Sequence, residues 1–159
     1  MDEMRTSGAD ADRFTDNALA VLAEANRAAE WLGHEWVGTE HIVLALTERD
    51  VDVVTAAFER TGVDRRKVND AIRGIVASGR AEQPAALKRP FTSRTKTSLD
   101  FAAETARTMG QPLIAPEHLL LGVLRERMNI GAQVLGDHGL TVETATQAIE
   151  QVRNMGGSL

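Results

Sequence analysis

The sequence predicts an all-α domain of two pseudo-symmetric four-helix repeats packed as one eight-helix unit. Three observations carry that prediction. First, Phe14-Thr15, Gly33, Glu40-His41 and Gly62 return as Phe91-Thr92, Gly110, Glu117-His118 and Gly139, each 77 residues later and without a gap. Second, apolar positions hold the same register, as in Leu22/Leu99, Val37/Ile114, Ile42/Leu119, Leu44/Leu121, Phe58/Leu135 and Val63/Leu140. Third, the apolar spacing follows the helical period, and no stretch alternates with the period of two that a half-buried strand requires. Repeats this short cannot bury their apolar faces alone, so the two halves must share a core.

The elements follow in order. The first helix runs from about Thr15 to Leu32, with Ala18, Leu19, Leu22, Ala25, Ala29 and Leu32 on one face and Gly33 as its stop. The second starts near Thr39, and its near-continuous Ile42, Val43, Leu44 and Leu46 mark it as the most buried element. A third covers Val53 to Arg60 and stops at Gly62; a fourth follows Asp64 and presents Val68, Ile72, Ile75 and Val76. The second repeat gives Thr92–Met109, Pro116–Glu126, Ile130–Gly136 and Thr141–Val152. On this reading residues 1–12 are a disordered lead-in, 13–78 the first repeat, 79–90 a Gly- and Pro-containing linker, 91–153 the second repeat and 154–159 a flexible tail.

Composition narrows the function. The chain of 159 residues is 43% hydrophobic and 26% charged, as globular domains are, and carries a formal charge of −5, which argues against a general nucleic-acid binder. It has no cysteine, which removes thiolate chemistry and cysteine metal sites. No apolar run reaches the roughly 20 residues of a membrane span, and the polar, acidic start is unlike a secretory signal. The expectation is a cytoplasmic protein. Neither a Gly-x-x-x-x-Gly-Lys-Ser/Thr nor a Gly-x-Ser-x-Gly sequence occurs, so nucleotide hydrolysis and esterase chemistry lack support.

The recurring polar residues are the candidate site. Thr15 and Thr92 stand at helix N-caps, where a hydroxyl accepts a backbone N–H for about 1 kcal/mol. Free N–H groups at such an end also favour an anion. Asp16 and Asn17 follow Thr15, whereas Ser93, Arg94 and Lys96 follow Thr92, so an anion is expected to prefer the second repeat. Glu40 and Glu117 open their second helices, where any acid would complement the helix dipole; glutamate twice, each time before histidine, is more specific than that. His41 and His118 read as buried histidines bonded to loop carbonyls. No metal is expected, because adjacent helix positions face apart and no His-Glu-x-x-His spacing occurs. His34 and His138 do not recur.

Phe14-Thr15, Gly38-Thr39-Glu40-His41-Ile42-Val43-Leu44-Ala45-Leu46, Pro90-Phe91-Thr92-Ser93-Arg94 and Pro116-Glu117-His118-Leu119-Leu120-Leu121 together resemble the double repeat of the Clp/Hsp100 N-terminal domain, of the ClpC type, over about Phe14 to Val152. The resemblance implies a non-enzymatic, cofactor-free module that binds clients and adaptors of an ATP-driven unfoldase. It also implies phosphoarginine sites in which Glu40 works with Thr15 and Glu117 with Thr92, supported by Arg94 and Lys96. The family pattern Phe-Thr-x-Arg-Ala becomes Phe14-Thr15-Asp16-Asn17-Ala18 in the first repeat, and Ala11 stands where the family has an apolar residue that bears on cyclic-peptide antibiotics. With no ATPase module in the sequence, the expected role is adaptor or decoy for a Clp protease. The alternative is an accessory subunit that docks on the Clp ring and modulates its assembly.

Overall fold

The computed structural model describes residues 11–76 and 90–157. Its helices are α1 (Asp16–Trp31), α2 (Thr39–Glu48), α3 (Asp52–Thr61) and α4 (Arg65–Val76), then α5 (Ser93–Thr108), α6 (Pro116–Glu126), α7 (Ile130–Asp137) and α8 (Val142–Gly157). The all-α, two-by-four reading is therefore correct. The end of α8 is not as predicted: helix continues through Gly157, so residues 154–157 are not a tail. The lead-in and the 79–90 linker lie outside the described residues except at their inner ends. There the chain is already ordered, with the Phe14 N–H donating to the Ala11 carbonyl at 3.1 Å.

The repeated glycines have one job. Gly33, Gly62, Gly110 and Gly139 all adopt left-handed backbone, with φ from 74° to 97°. The next N–H reaches back five residues in each case, as in His34 to the Ala29 carbonyl at 2.8 Å and Leu140 to Leu135 at 2.9 Å. This is the Schellman ending, in which a Cβ would be strained. At the other helix ends Thr15 and Thr92 accept from the N–H groups of Ala18 (3.0 Å) and Thr95 (3.1 Å), as their position predicts.

The two repeats are interlaced rather than stacked. Within each, the first helix packs on the second and the second on the fourth (α1 with α2, α2 with α4; α5 with α6, α6 with α8). The third and fourth helices also pack across the pseudo-twofold: α3 on α8, and α4 on α7. The second helices meet the opposite third helices as well (α2 with α7, α6 with α3). Hence α2 and α6 form the centre, where every residue from Ile42 to Leu46 and from Leu119 to Leu124 is buried. Each fully buried leucine or isoleucine there contributes about 1.5–3 kcal/mol. Ile75, expected on the inner face of α4, is 53% exposed; the stripe of Val68, Ile72 and Val76 alone turns inward.

Among the described residues there is no strand, but two isolated parallel bridges cross between the repeats, Phe14 with Ile114 and Val37 with Phe91. Their hydrogen bonds run from Thr15 N–H to Ile114 O (2.9 Å), Ile114 N–H to Arg13 O (2.8 Å), Val37 N–H to Pro90 O (2.9 Å) and Thr92 N–H to Val37 O (3.0 Å). The segment entering each repeat is thereby fastened to the loop before the other repeat's second helix. Among the described residues no helix is long and apolar enough to cross a membrane.

The closest helix approach sets a test. A Cβ at Gly122 of α6 would lie 2.2 Å from the Ser98 carbonyl oxygen and 2.9 Å from the Ala102 nitrogen of α5, whereas one at Gly136 would meet nothing within 4 Å. Gly122→Ala is expected to destabilise by about 1–3 kcal/mol through overpacking. Gly136→Ala is expected to stabilise by up to about 1 kcal/mol through helix propensity. Urea denaturation of the two variants reads the contrast.

Candidate functional site

The crossed bridges decide which residues meet. Because Thr92 is fastened to Val37, it sits beside Glu40 rather than Glu117. A cleft of about 360 Å³ is lined by Thr39 and Glu40 of α2, Thr92, Ser93 and Arg94 at the start of α5, and Met128, Asn129 and Ile130 at the start of α7. Thr15 is correspondingly fastened to the loop that leads into Glu117. The sequence paired Glu40 with Thr15 and Glu117 with Thr92; the structure instead brings Glu40 and Thr92 into one cleft, across the repeats. Arg94 belongs with Glu40, where it holds Glu126 at 2.8 Å. Lys96 is exposed and does not line this cleft.

The two glutamates differ in state. Glu40 is half-buried and has no ion-pair partner among the described residues. Its carboxylate folds back over Gly38, so that a Cβ there would stand 2.4 Å from Oε1. The equivalent of Gly38 is Ala115, whose methyl group occupies that space. Glu117 is 4% exposed and reaches instead to Arg153 of α8, whose guanidinium donates to its Oε2. The repeat-one counterpart of Arg153 is Val76, which offers Glu40 nothing similar. The helix end expected to favour an anion, that of Thr92 with Ser93 and Arg94, thus lies beside Glu40 and not beside Glu117. Arg94 lies at the other glutamate, and Glu117 already holds a cation.

The histidines are structural in an unforeseen way. Each stands at the third helical position and accepts, through Nδ1, the N-cap N–H: Gly38 to His41 and Ala115 to His118, both at 2.9 Å. This is the backward half of a capping box, usually supplied by Glu or Gln, and not a bond to a loop carbonyl. The neutral His41 ring must then carry its proton on Nε2, which faces His34 Nδ1 at 2.8 Å. His34, which no repeat pattern singles out, thus completes a polar backing to Glu40. Ligand atoms of His34, Glu40 and His41 lie within 4.8 Å of one another. A metal on His41 Nε2 would have to displace the proton that its Nδ1 bond requires there, so the group fits a hydrogen-bonded network better than a metal centre. In the second repeat Gln111 replaces His34, and His118 Nε2 is buried without a partner.

The geometry is that of a family of known architecture. The family model described as "Clp repeat (R) N-terminal domain" matches residues 13–138 and again 90–156. The chain belongs to the Clp N-terminal repeat family. This Clp N-domain is 31% identical over 140 residues to the "Negative regulator of genetic competence ClpC/MecB" of Bacillus subtilis, covering 88% of the chain but 17% of that protein. The crystal structure of the N-terminal domain of the chaperone ClpD from Arabidopsis thaliana superimposes with a TM-score of 0.66 at 28% identity, covering 88% of this chain and 94% of that one. A ClpV N-domain solved as a complex with a VipB peptide shares the fold, with a TM-score of 0.66 at 14% identity over 89% of this chain and 87% of that one. The chain thus spans about a sixth of the curated relative's length.

His118 supplies a pH test of the Clp N-domain. Burial holds its imidazole below the ordinary value of 6.5; the Glu117 carboxylate opposes that shift and the Arg153 charge adds to it. A depressed folded value means that the unfolded chain takes up the proton first. The stability this ring contributes is therefore complete above pH 6.5 and is lost as the pH falls from there through the folded value. The expected outcome is that the stability of the wild type falls faster than that of His118→Gln below pH 6.5, measured by urea denaturation at pH 7.5, 6.5 and 5.5. Parallel pH profiles would contradict it.

Proposed function

We propose that this Clp N-domain is a binding module, not an enzyme, and that the Glu40 cleft receives a phosphorylated arginine side chain of a client or adaptor protein. One observation carries the reading: an ion-pair-free carboxylate and a helix N-terminus share one cleft. Glu40 can take a guanidinium bidentately. The N–H groups of Ser93 and Arg94, in the first turn of α5, have no intrahelical acceptor and favour the phosphoryl oxygens. Thr92 already accepts the Thr95 N–H at 3.1 Å, which holds that turn in place and leaves its hydroxyl proton for a ligand oxygen or for Thr95 Oγ1 at 2.8 Å. Arg94 adds positive charge at the rim. Exposed Met128 and the Ile130 side chain give the neighbouring residues of a bound peptide an apolar shelf.

A phosphoarginine side chain requires opposite charges at its two ends, and the cleft offers acid on one wall and helix N–H groups on the other. The ClpV N-domain bound to a VipB peptide supports peptide capture as a use of this fold. Within a Clp assembly the module would deliver marked chains to the unfoldase, as adaptor or as receptor domain.

Isothermal titration with phosphoarginine tests the site. Glu40→Gln removes a charge-assisted pair worth about 1.5–3 kcal/mol, so affinity is expected to fall by about 10- to 100-fold. Thr92→Val is expected to weaken binding less, through the loosened helix end. Unchanged affinity in Glu40→Gln would overturn the assignment.

A further inference from the structure

A second cleft, of about 500 Å³, lies wholly in the second repeat and shares no lining residue with the Glu40 cleft. The matching place in the first repeat is filled by the chain itself. There Arg65, at the start of α4, joins the end of α2 to the start of α3. Its guanidinium donates to the Arg49 carbonyl at 3.0 Å, to Thr55 Oγ1 at 3.2 Å and to Asp50 Oδ1 at 3.3 Å. The 77-residue offset turns Arg65, Thr55 and Asp50 into Val142, Ala132 and Arg127, and all three line the cleft. Val142 is too short to span the gap, so the space that Arg65 fills in one repeat is open in the other. The charges are inverted as well. Glu48 and Asp50 are paired with Arg73 and Arg65 of α4. Their counterparts are Arg125 and Arg127, and those of Arg73 and Arg65 are Glu150 and Val142.

Arg127 is left as the open charge, with no side-chain partner among the described residues. It is also the one non-glycine residue among them with positive φ, at φ 72° and ψ −34°. The Met128 N–H closes a three-residue turn on the Glu126 carbonyl at 2.8 Å, a rare and strained form. Buried Asn129 enforces the turn by donating to the Val123 carbonyl and to Glu126 Oε1, both at 3.0 Å. Strain persists only where the surroundings dictate it, and it gathers at ligand clamps. Arg125 supplies a second guanidinium, 4.5 Å over the Phe101 ring, which donates to Thr105 Oγ1 at 3.0 Å and to Glu104 at 3.4 Å. The rest of the lining is largely apolar, with Leu124, Ala132 and Leu140 buried and Phe101 and Val142 half-buried. Its one acid, Glu143, is exposed in the first turn of α8, where helix N–H groups offset its charge.

We infer that this cleft binds a peptide segment in which a carboxylate adjoins an apolar side chain. The carboxylate meets Arg127, and the apolar group lies against Phe101 and Val142. The sign of the charge follows from the comparison of repeats: the first answers an acid with its own arginine, and the second presents an arginine that the chain does not answer. Gly136, Thr141 and Glu143 are exposed along the cleft and leave the remainder of a bound chain a way out.

NMR titration of the full chain tests the site. N-acetylleucine offers a terminal carboxylate beside an apolar side chain, N-acetylglutamylleucinamide an acidic side chain instead, and N-acetylleucinamide no charge. At least one acidic probe is expected to shift the amides of α7 and of residues 127–129, binding about tenfold more tightly than the uncharged probe, as one charge-assisted pair allows. Whichever acidic probe binds better identifies the source of the carboxylate. Arg127→Gln is expected to abolish the preference for acid, and Glu143→Gln to strengthen acid binding about two- to threefold. Gly136→Leu, at a position where a Cβ meets nothing within 4 Å, is expected to fold and to block every probe. Glu40→Gln is expected to change none of these results, which separates them from the phosphoarginine reading. Equal binding of charged and uncharged probes would overturn the inference. So would shifts that persist in both Arg127→Gln and Gly136→Leu, or the absence of any shift in the folded wild type.

Discussion

Four backbone hydrogen bonds, two at each crossing of Phe14 with Ile114 and of Val37 with Phe91, hold the rest of the molecule in place. They bind the segment that starts each repeat to the loop that starts the other repeat's central helix. Apart from Arg13, the residues involved are buried or half-buried, where an unpaired N–H or C=O would be costly. Because the pairing is between repeats, the helices that follow are placed by their neighbours across the pseudo-twofold. The third helix of one repeat lies on the fourth of the other, and neither half has a complete core without its mate.

The same crossing makes the candidate site composite. A glutamate from the first repeat and a capped helix end from the second form the cleft. A site so built exists only when both halves are folded together, which ties ligand recognition to the integrity of the whole domain. Binding at Glu40 should in turn reinforce the contact between α2 and α5, since a ligand that favours the assembled state stabilises it by mass action.

Symmetry of fold has not produced symmetry of chemistry. One methyl group, present at Ala115 and missing at Gly38, decides whether the carboxylate lies back over its own helix start or reaches outward. One guanidinium, present at position 153 and replaced by Val76 in the first repeat, decides whether that carboxylate is open or paired. The histidines, by contrast, keep the same capping bond in both halves, because the N-cap N–H needs a partner wherever a second helix begins.

The amino-acid sequence by itself determined the helices, their stops and the existence of a repeat, since caps, left-handed glycines and the 3.6-residue period are local properties. It also marked Thr15, Glu40, Thr92 and Glu117 as polar residues that a core does not require. Only the tertiary structure decided how those four combine. The partner of Thr92 is chosen by a hydrogen bond to Val37, more than 50 residues away, and nothing in the spacing of a repeat distinguishes pairing within a copy from pairing between copies. Arg153 and His34 were illegible for the same reason. Neither recurs at the 77-residue offset, and each acquires its role from a contact that the interlaced packing creates.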